Sequence, residues 1–419
     1  MATVAFLSPL PPAETGIATY AAAVLGGLQE TGFTSLHDVQ PVWPIPPDID
    51  ERVRASDVAV YQLGNNVEFH GAIYRTAVWH PGVVVIHDLA LDGLMYGLGV
   101  ERSPLAEPAR AEAIAAAPPG AELEYPLGVP WCAQIVRRAR AVIVHSHYAQ
   151  EYLRRIGCRT PIVVAPHPLV EAEDQIDRAR ARGAALRAQV CGRDQMVVGI
   201  AGDLNASKGI EELLEALGHV RPSVRVVLVG RMTPHWDVRS VLRHSGVSER
   251  VTVVPNAPDD DFLAWLSAFD ILVNLRNPHR GETSGSLIRA LHVGVPTIVS
   301  AVGTYLEVPE DVVVRVPPGP PDPAALAAAI ERLAADAGAR AAIGARARAY
   351  AREEFAPRAT ASAYAVAIEG ALALRADPSR AALARWASAL RAEGVRPRDV
   401  RRGFGLRYAE ALAELSGAE

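Results

Sequence analysis

Short, almost wholly apolar runs alternate with helical patterns along most of the chain, and this alternation constrains the fold most strongly. Between the runs, apolar residues recur at helical spacing, as at Ile17, Tyr20, Ala21 and Val24. Runs without polar alternation are typical of strands buried on both faces of a parallel sheet covered by helices. The predicted strands form two series: residues 4–7, 58–63, 83–86, 142–144 and 162–164, then 196–200, 224–229, 251–254, 271–275 and 297–299.

The two series predict an α/β protein with two doubly wound, Rossmann-like domains and a helical C-terminal tail. The polar, arginine-rich stretch 171–193 separates them and is interpreted as a domain connection. We therefore expect an N-terminal domain over 1–170, a second domain over 190–355, and a helical return and tail over 356–419. Apolar stripes in the tail, such as Leu383, Trp386 and Leu390, predict that it packs on its own chain.

Composition excludes several classes of protein. Half of the 419 residues are apolar, which excludes a disordered chain, and a net charge of −5 gives no basic field for nucleic acid. The start of the sequence does not resemble a signal peptide, and no apolar run is long enough to span a bilayer. An odd number of cysteines, three, suits a reducing cytoplasm. We expect a cytoplasmic protein, and peripheral attachment to a membrane stays open.

Lys208 is the only lysine among 42 basic residues, and the other 41 are arginine. It lies in the corner 202–209 between a predicted strand and an amphipathic helix, where open α/β sheets bind anions. Asn205 and Ser207 can cap that helix or bind a phosphate. A lysine kept where every other cation is arginine favours phosphate binding over a capped helix with an exposed lysine.

A second strand-to-helix corner spans 276–291. Arg276 follows the strand, Glu282 can accept hydrogen bonds from sugar hydroxyls, and Arg289 lies in the next helix. The residues between them offer hydroxyls and backbone N–H groups to an anion: Thr283, Ser284, Gly285 and Ser286. A plain capped helix start is the alternative.

Other motifs point away from common cofactors. The sequence has no P-loop and no G-x-G-x-x-G after a strand, and the acidic run 259–261 is better explained as a helix cap than as a metal site. His87 ends an apolar strand at the carboxyl edge of a sheet, which favours a functional role. His70 is equally compatible with either role, while His145 and His147 are predicted to pack between the domains and His167 to be structural. We expect no metal ion and no cofactor.

These motifs together resemble the GT-B glycosyltransferases, specifically family 4, a retaining group that uses nucleotide-sugar donors. The resemblance spans about residues 1–370. It rests on the turn around Thr15-Gly16, on His87-Asp88, on Lys208-Gly209, and on the Glu282 region running to Gly294-Val-Pro296.

The resemblance implies a role for each matching position. Gly16 would lie near the donor phosphates and the acceptor, and His87 would face the transferred sugar. Lys208 would hold the diphosphate, Glu282 with the following N–H groups would hold sugar and phosphate, and the region of Asn256 would flank the base. The implied partners are a nucleoside-diphosphate sugar and an acceptor that is a saccharide, a lipid-linked molecule or a small molecule.

The sequence departs from the family pattern at three places. Asp203 stands where members commonly have an arginine, Arg289 where most have a second glutamate, and Thr15 where a glycine is common. Arg276 or Arg289 would then replace the missing diphosphate charge. A nucleotide-sugar epimerase and a non-catalytic nucleotide-sugar-binding module stay open as alternatives to a glycosyltransferase.

Overall fold

The computed structural model describes residues 1–122, 125–192, 194–233, 236–320 and 322–375. Within these residues the chain forms two six-stranded sheets. Every strand pairing in them is parallel, and α-helices connect successive strands except the last two, between which lies a short 3₁₀ turn. The predicted α/β class with two doubly wound, Rossmann-like sheets is confirmed.

The first sheet has the order β2-β1-β3-β4-β5-β6. Its strands are β1 Ala2–Leu7, β2 His37–Val42, β3 Val58–Leu63, β4 Val83–Ile86, β5 Ala141–Val144 and β6 Ile162–Val164. The helices of this half are α1 Gly16–Glu30, α2 Phe33–Leu36, α3 Ile49–Ala55, α4 Val67–Trp79, α5 Asp92–Val100, α6 Ala106–Ala116, α7 Ala133–Arg138 and α8 His147–Arg155.

The second sheet has the order β12-β11-β10-β7-β8-β9. Its strands are β7 Met196–Ala201, β8 Val224–Gly230, β9 Val251–Pro255, β10 Ile271–Asn274, β11 Thr297–Ser300 and β12 Val314–Val316. The helices are α9 Glu173–Val190, α10 Ile210–Leu217, α11 Val238–His244, α12 Asp259–Ala268, α13 Gly285–Val293, α14 Pro323–Ala335, α15 Ala337–Glu354 and α16 Pro357–Arg375, with short 3₁₀ turns at Ala206–Lys208, Ser248–Arg250 and Gly303–Leu306.

The central strands are buried along their whole length, as their apolar sequences predict. All six residues of β3 and all four of β4 are buried. Each fully buried Val, Leu or Ile side chain contributes about 1.5–3 kcal/mol relative to an exposed one. Five of the six residues of strand β2 are exposed or half-buried because it lies at the edge of the sheet, and its sequence therefore lacks the apolar run that predicts a strand.

Residues 171–193, interpreted above as a connection, contain helix α9. Ile176 and Ala179 of α9 belong to the apolar cluster formed with Phe262 and Leu266 of α12. Gly183 allows the close approach of the two helices, because a Cβ there would lie 2.6 Å from the carbonyl oxygen of Ala264. The segment therefore covers one face of the second sheet.

Two glycines bring the ends of β7 and β8 together. A Cβ on Gly230, which has a φ of +150°, would lie 1.7 Å from the carbonyl oxygen of Gly202. The residues that follow, Asp203 and Arg231, consequently leave the sheet side by side.

By its internal contacts the chain separates into one compact unit, Met1–Ile368, and a second, Glu369–Glu419. The first unit contains both sheets. The domain limits 1–170, 190–355 and 356–419 stay a prediction. The helical tail is described as far as Arg375, and the stripe of Leu383, Trp386 and Leu390 lies outside the described residues.

Candidate functional site

The corner after β7, residues 202–209, is stabilised by hydrogen bonds between its own residues. Asn205 caps the 3₁₀ turn, since its Oδ1 accepts hydrogen bonds from the backbone N–H of Ser207 at 3.0 Å and from the Ser207 hydroxyl at 2.7 Å. This turn directs Lys208 inward, where the residue is 7% exposed and its Nζ donates to the carbonyl oxygen of Ala201 at 3.4 Å. Asn205 and Ser207 thus shape the corner that places the lysine.

Lys208 is a buried cation with a perturbed pKa. The pKa of Lys208 is lowered to about 7, mainly by burial and secondly by the nearby charge of Arg276. Asp203 and Glu282 act in the opposite direction. A bound anion would favour the charged form in the same way, so the site is tuned to take up a proton with its ligand.

Lys208 and the start of α13 meet beside Gly202. A Cβ on Gly202 would lie 3.1 Å from Lys208 Nζ and 3.7 Å from the Ser286 Oγ. Ser284 caps α13 by accepting from the N–H of Leu287 at 3.3 Å, which leaves Gly285 and Ser286 in the first turn. The structure therefore brings the two predicted corners together around one ammonium and one helix N-terminus.

Arg276 and Glu282 form a buried ion pair at the end of β10. Arg276 Nε donates to Glu282 Oε1 at 2.8 Å, its Nη1 to Asn274 Oδ1 at 3.1 Å, and its Nη2 to Ser284 Oγ at 3.3 Å. The other Glu282 oxygen accepts from the N–H of Arg280 at 2.7 Å. Burial raises the pKa of Glu282, but Arg276 and the backbone N–H groups outweigh it and hold the pKa below its usual value. Arg276 thus orients Glu282.

Arg289 does not share the partners of Arg276 but contacts Glu171 and Phe262. Its Nε is 2.5 Å from Glu171 Oε1, and its guanidinium stacks over the ring of Phe262 at 4.8 Å. Asn256 and Thr283 were also predicted to bind the nucleotide-sugar donor. Asn256 adopts a left-handed φ of 52° after β9, and its side chain accepts a hydrogen bond from the N–H of Met232 at 3.4 Å. Thr283 is half-buried in the loop before α13.

Gly16 begins α1 beyond the end of β1. Thr15 caps this helix, with its hydroxyl accepting from the N–H of Ile17 at 3.4 Å. No atom lies within 4 Å of a Cβ built on Gly16, so this helix start faces open space.

His87 is partly buried after β4, and both of its ring nitrogens have protein partners. Its Nε2 lies 2.8 Å from Gln62 Oε1 and its Nδ1 lies 3.1 Å from His145 Nε2. Desolvation is the main reason that the pKa of His87 lies well below its usual value. His145, which was predicted to pack between the domains, bonds through its other ring nitrogen to the backbone oxygen of Ala165 at 3.0 Å.

The other three histidines near the site also have hydrogen-bond partners within the protein. His70 is buried and its Nδ1 bonds to the backbone oxygen of Gln62 at 3.1 Å. His167 bonds to Pro168, and the ring of Tyr20 packs against it at 4.9 Å. The backbone N–H of His147 donates to Glu307, a residue of the second half, at 3.0 Å.

Loops at the carboxyl ends of the two sheets touch each other. The carbonyl of Arg280, before α13, accepts from the N–H groups of Leu89 and Ala90 at 3.1 and 3.2 Å, and its guanidinium pairs with Asp92 at 3.1 Å. On the other side, Arg231 binds Asp203 and donates to the carbonyl of Glu14. The sequence analysis missed Arg231, although its position directly after β8 places it at this edge.

Asp88 follows His87, and the pKa of its carboxyl group is strongly shifted. Burial and the nearby Glu282 raise the pKa of Asp88 to about 7, although its Oδ2 accepts from the N–H of Asn65 at 3.1 Å. The group therefore changes charge near neutral pH.

The described residues contain no group of three or more His, Cys, Asp or Glu side chains arranged to hold a metal ion. In the same part of the chain, no helix combines the length and hydropathy needed to cross a bilayer.

Comparison with known proteins assigns a family signature to the second half of the chain. Residues 195–336 match the family "Glycosyl transferases group 1". The D-inositol 3-phosphate glycosyltransferase of Xylanimonas cellulosilytica is 32% identical over 164 residues, which are 38% of this chain and 39% of that protein. The match thus spans about two fifths of this curated relative.

Solved structures share the fold over most of the chain. Anabaena HepE in complex with UDP-glucose has a TM-score of 0.63 and 16% identity, covering 88% of this chain and all of HepE. Sucrose-phosphate synthase from Thermosynechococcus elongatus has a TM-score of 0.61 and 20% identity, covering 86% of this chain and 97% of its own. The two-sheet arrangement is the GT-B fold.

Proposed function

We propose that this protein is a glycosyltransferase that moves a sugar from a nucleoside-diphosphate sugar to an acceptor, with retention of anomeric configuration and without a metal ion. The observation that carries the proposal is the meeting of Lys208 Nζ and Ser286 Oγ beside Gly202. Both residues belong to the segment that matches group 1 glycosyltransferases. A structure with this fold is a complex with UDP-glucose, which supports a nucleotide-sugar donor.

The leaving group is a diphosphate, whose developing charge needs preorganised donors. Lys208 supplies a cation on a slim stem, and the first turn of α13 supplies backbone N–H groups at Gly285 and Ser286. Both are fixed by the fold before any ligand arrives, so they need no reorganisation during the reaction.

Glu282 is the proposed ligand of the sugar hydroxyls. The bonds to Arg276 and to the N–H of Arg280 fix both oxygens in position. A carboxylate has about four lone-pair positions, so each oxygen keeps capacity for one more donor. His87 is proposed to face the same sugar from the first sheet.

Retention follows if the departing phosphate takes the proton of the acceptor. The bond from the anomeric carbon to the phosphate oxygen breaks, a bond to the acceptor oxygen forms on the same face, and the acceptor proton moves to the leaving phosphate oxygen. No protein nucleophile is required. The acceptor, whether saccharide, lipid-linked or small, is proposed to enter along the carboxyl edge of the first sheet, near Gly16.

The proposed compartment is the cytoplasm. Cys132, Cys158 and Cys191 are free thiols in the structure, which suits a reducing environment. Attachment to the inner face of a membrane is compatible with a lipid-linked acceptor.

The deciding experiment incubates the protein with UDP-, GDP-, dTDP- and ADP-linked sugars and candidate acceptors, with and without EDTA. We expect release of nucleoside diphosphate only with an acceptor present, a product of unchanged anomeric configuration by NMR, and full activity in EDTA. Lys208→Met should abolish release, whereas the exposed control Arg178→Met on α9 should not.

Other outcomes would contradict the proposal. A changed donor sugar without acceptor would indicate an epimerase. Nucleotide binding, seen as a raised melting temperature without turnover for any pair, would indicate a non-catalytic binding module.

A further inference from the structure

A series of hydrogen-bonded polar groups in the buried core of the first sheet passes through His87. His145 Nδ1 lies 3.0 Å from the carbonyl oxygen of Ala165, and His145 Nε2 lies 3.1 Å from His87 Nδ1. His87 Nε2 then meets the side-chain amide of Gln62 at 2.8 Å.

The series continues beyond Gln62 through two tyrosines. The amide of Gln62 contacts the hydroxyl of Tyr364 at 2.9 Å, and this hydroxyl lies 2.9 Å from that of Tyr20. Both tyrosines are fully buried, and burial raises the pKa of each. Near neutral pH both hydroxyls therefore keep their hydrogens. Each hydrogen bond in the series needs one hydrogen between its two heavy atoms, so the donor and acceptor of every bond can be assigned by starting at one end.

The assignment begins at Ala165, because a carbonyl oxygen can only accept. His145 must therefore carry a hydrogen on Nδ1. Burial lowers the pKa of His145 to about 4, so its ring is neutral near pH 7 and carries no second hydrogen. His145 Nε2 is then an acceptor, and His87 must donate to it from Nδ1.

The same assignment fixes the remaining hydrogen bonds. A neutral His87 with its hydrogen on Nδ1 has a lone pair on Nε2, so the amide nitrogen of Gln62 must face it. The Gln62 amide is therefore turned over relative to the orientation in which its Oε1 lies 2.8 Å from His87 Nε2, since the oxygen and nitrogen of an amide are told apart by their hydrogen-bond partners. Gln62 then accepts from Tyr364 through its oxygen, and Tyr364 accepts from Tyr20. Placing the amide oxygen toward His87 instead would require a doubly protonated, charged imidazole in the core, which burial disfavours.

We infer that His145 is a positioning residue: it holds the proton of His87 on Nδ1, so that His87 presents only an acceptor at Nε2. His145 is 8% exposed, whereas His87 is partly exposed at the end of β4. His87 is therefore the more accessible of the two rings. A substrate hydroxyl that displaces the Gln62 amide would be a donor to His87, and an acceptor group at that place would be rejected.

The tautomer of His87 is directly measurable. Two-bond ¹⁵N–¹H spectra of the full-length protein labelled with ¹⁵N-histidine distinguish Nδ1–H from Nε2–H rings, and the signal of His87 is assigned by its loss in His87→Gln. We expect His87 as the Nδ1–H tautomer in the wild type. A wild-type His87 with its hydrogen on Nε2 would overturn the inference without any further variant.

Substitutions of His145 test whether this residue sets the tautomer of His87. His145→Phe keeps a ring but removes the acceptor, so His87 should change to the Nε2–H tautomer. His145→Gln keeps a carbonyl oxygen that can accept and should preserve the wild-type tautomer. An unchanged Nδ1–H signal in folded His145→Phe would show that His145 does not set the tautomer.

The kinetic part rests on the proposed function. His145→Phe should lower kcat by roughly tenfold or more, because a misplaced imidazole proton removes the function of the residue it belongs to, while His145→Gln should restore most of the rate. His244→Gln is the matched control, since His244 also bonds a carbonyl through Nδ1 but lies on an exposed helix end. Equal loss in both His145 variants would contradict the inference. A wild type with no transferase activity would refute the proposed function and leave the spectroscopic result decisive.

Discussion

Asp203 and Arg231 form a two-bond ion pair directly after neighbouring strands, with Arg231 Nε 3.0 Å from Asp203 Oδ1 and Arg231 Nη2 2.9 Å from Asp203 Oδ2. The pair stands in and beside the corner 202–209, where Asp203 raises the pKa of Lys208. Arg231 thereby offsets a carboxylate at a place where an anionic ligand is proposed to bind.

Arg231→Gln should weaken nucleotide binding, because the carboxylate of Asp203 would repel the diphosphate. The double variant Arg231→Gln, Asp203→Asn should recover affinity, since it removes both charges. Both side chains are nearly half exposed, so the melting temperature should change little. Calorimetric titration with nucleoside diphosphates measures the effect, and equal affinity in the single and double variants would contradict it.

Lys208→Arg should lower turnover sharply while the fold is kept. The ammonium is buried beside Gly202 and Ser286, and the wider, planar guanidinium does not fit the same space. Loss of a charge-assisted contact to the leaving group costs about 1.5–3 kcal/mol, a factor of about 10 to 100 in rate. Steady-state kinetics with circular dichroism as the fold control tests this, and wild-type turnover would refute it.

Nucleotide affinity should fall as the pH rises above about 7. The folded pKa of Lys208 is lowered to about 7, so the free site loses its charge above that pH and must take up a proton to bind an anion. The loss approaches about tenfold per pH unit until the pKa of the complex is reached. Titration calorimetry in buffers of different ionisation enthalpy should show proton uptake at pH 8, and none for Lys208→Met.

Asp88→Asn should stabilise the protein at pH 8 and leave its stability nearly unchanged at pH 4. The pKa of Asp88 is raised to about 7, so between about pH 4 and 7 the folded state binds more protons than the unfolded state. Stability from this group is therefore present at low pH and falls with rising pH, by up to about 1.4 kcal/mol per pH unit. Urea unfolding of both proteins across this range gives the comparison, with the exposed Asp48→Asn as control.

Much of the fold was predictable from the sequence because buried parallel strands are continuous apolar runs. The predicted strands 58–63 and 83–86 coincide with β3 and β4, and 271–275 exceeds β10 by one residue. Strand β2 was missed since its polar residues face solvent at a sheet edge. Helix α9 was missed because its arginines outnumber the few small and apolar residues of its buried face.

The candidate site was predictable where it follows strand ends, and not where it depends on distant contacts. Lys208, Glu282 and Ser286 lie in corners that the strand-end rule identifies. The contact between Gln62 and Tyr364 joins residues 302 positions apart, and no local pattern indicates it. Similarly, the hydrogen bonds from the Arg276 guanidinium to Glu282 and Asn274 depend on how the loop folds, so the sequence does not predict them.

The backbone of Arg280 faces both halves of the molecule, and this has a thermodynamic consequence. Its N–H holds Glu282, while its carbonyl binds the N–H groups of Leu89 and Ala90. Separation of the two sheets would break the second contact and release the loop that carries the first. If Glu282 binds the sugar as proposed, sugar affinity and sheet separation are reciprocally linked, and a substitution near Leu89 that favours separation should weaken the binding of a sugar it never touches.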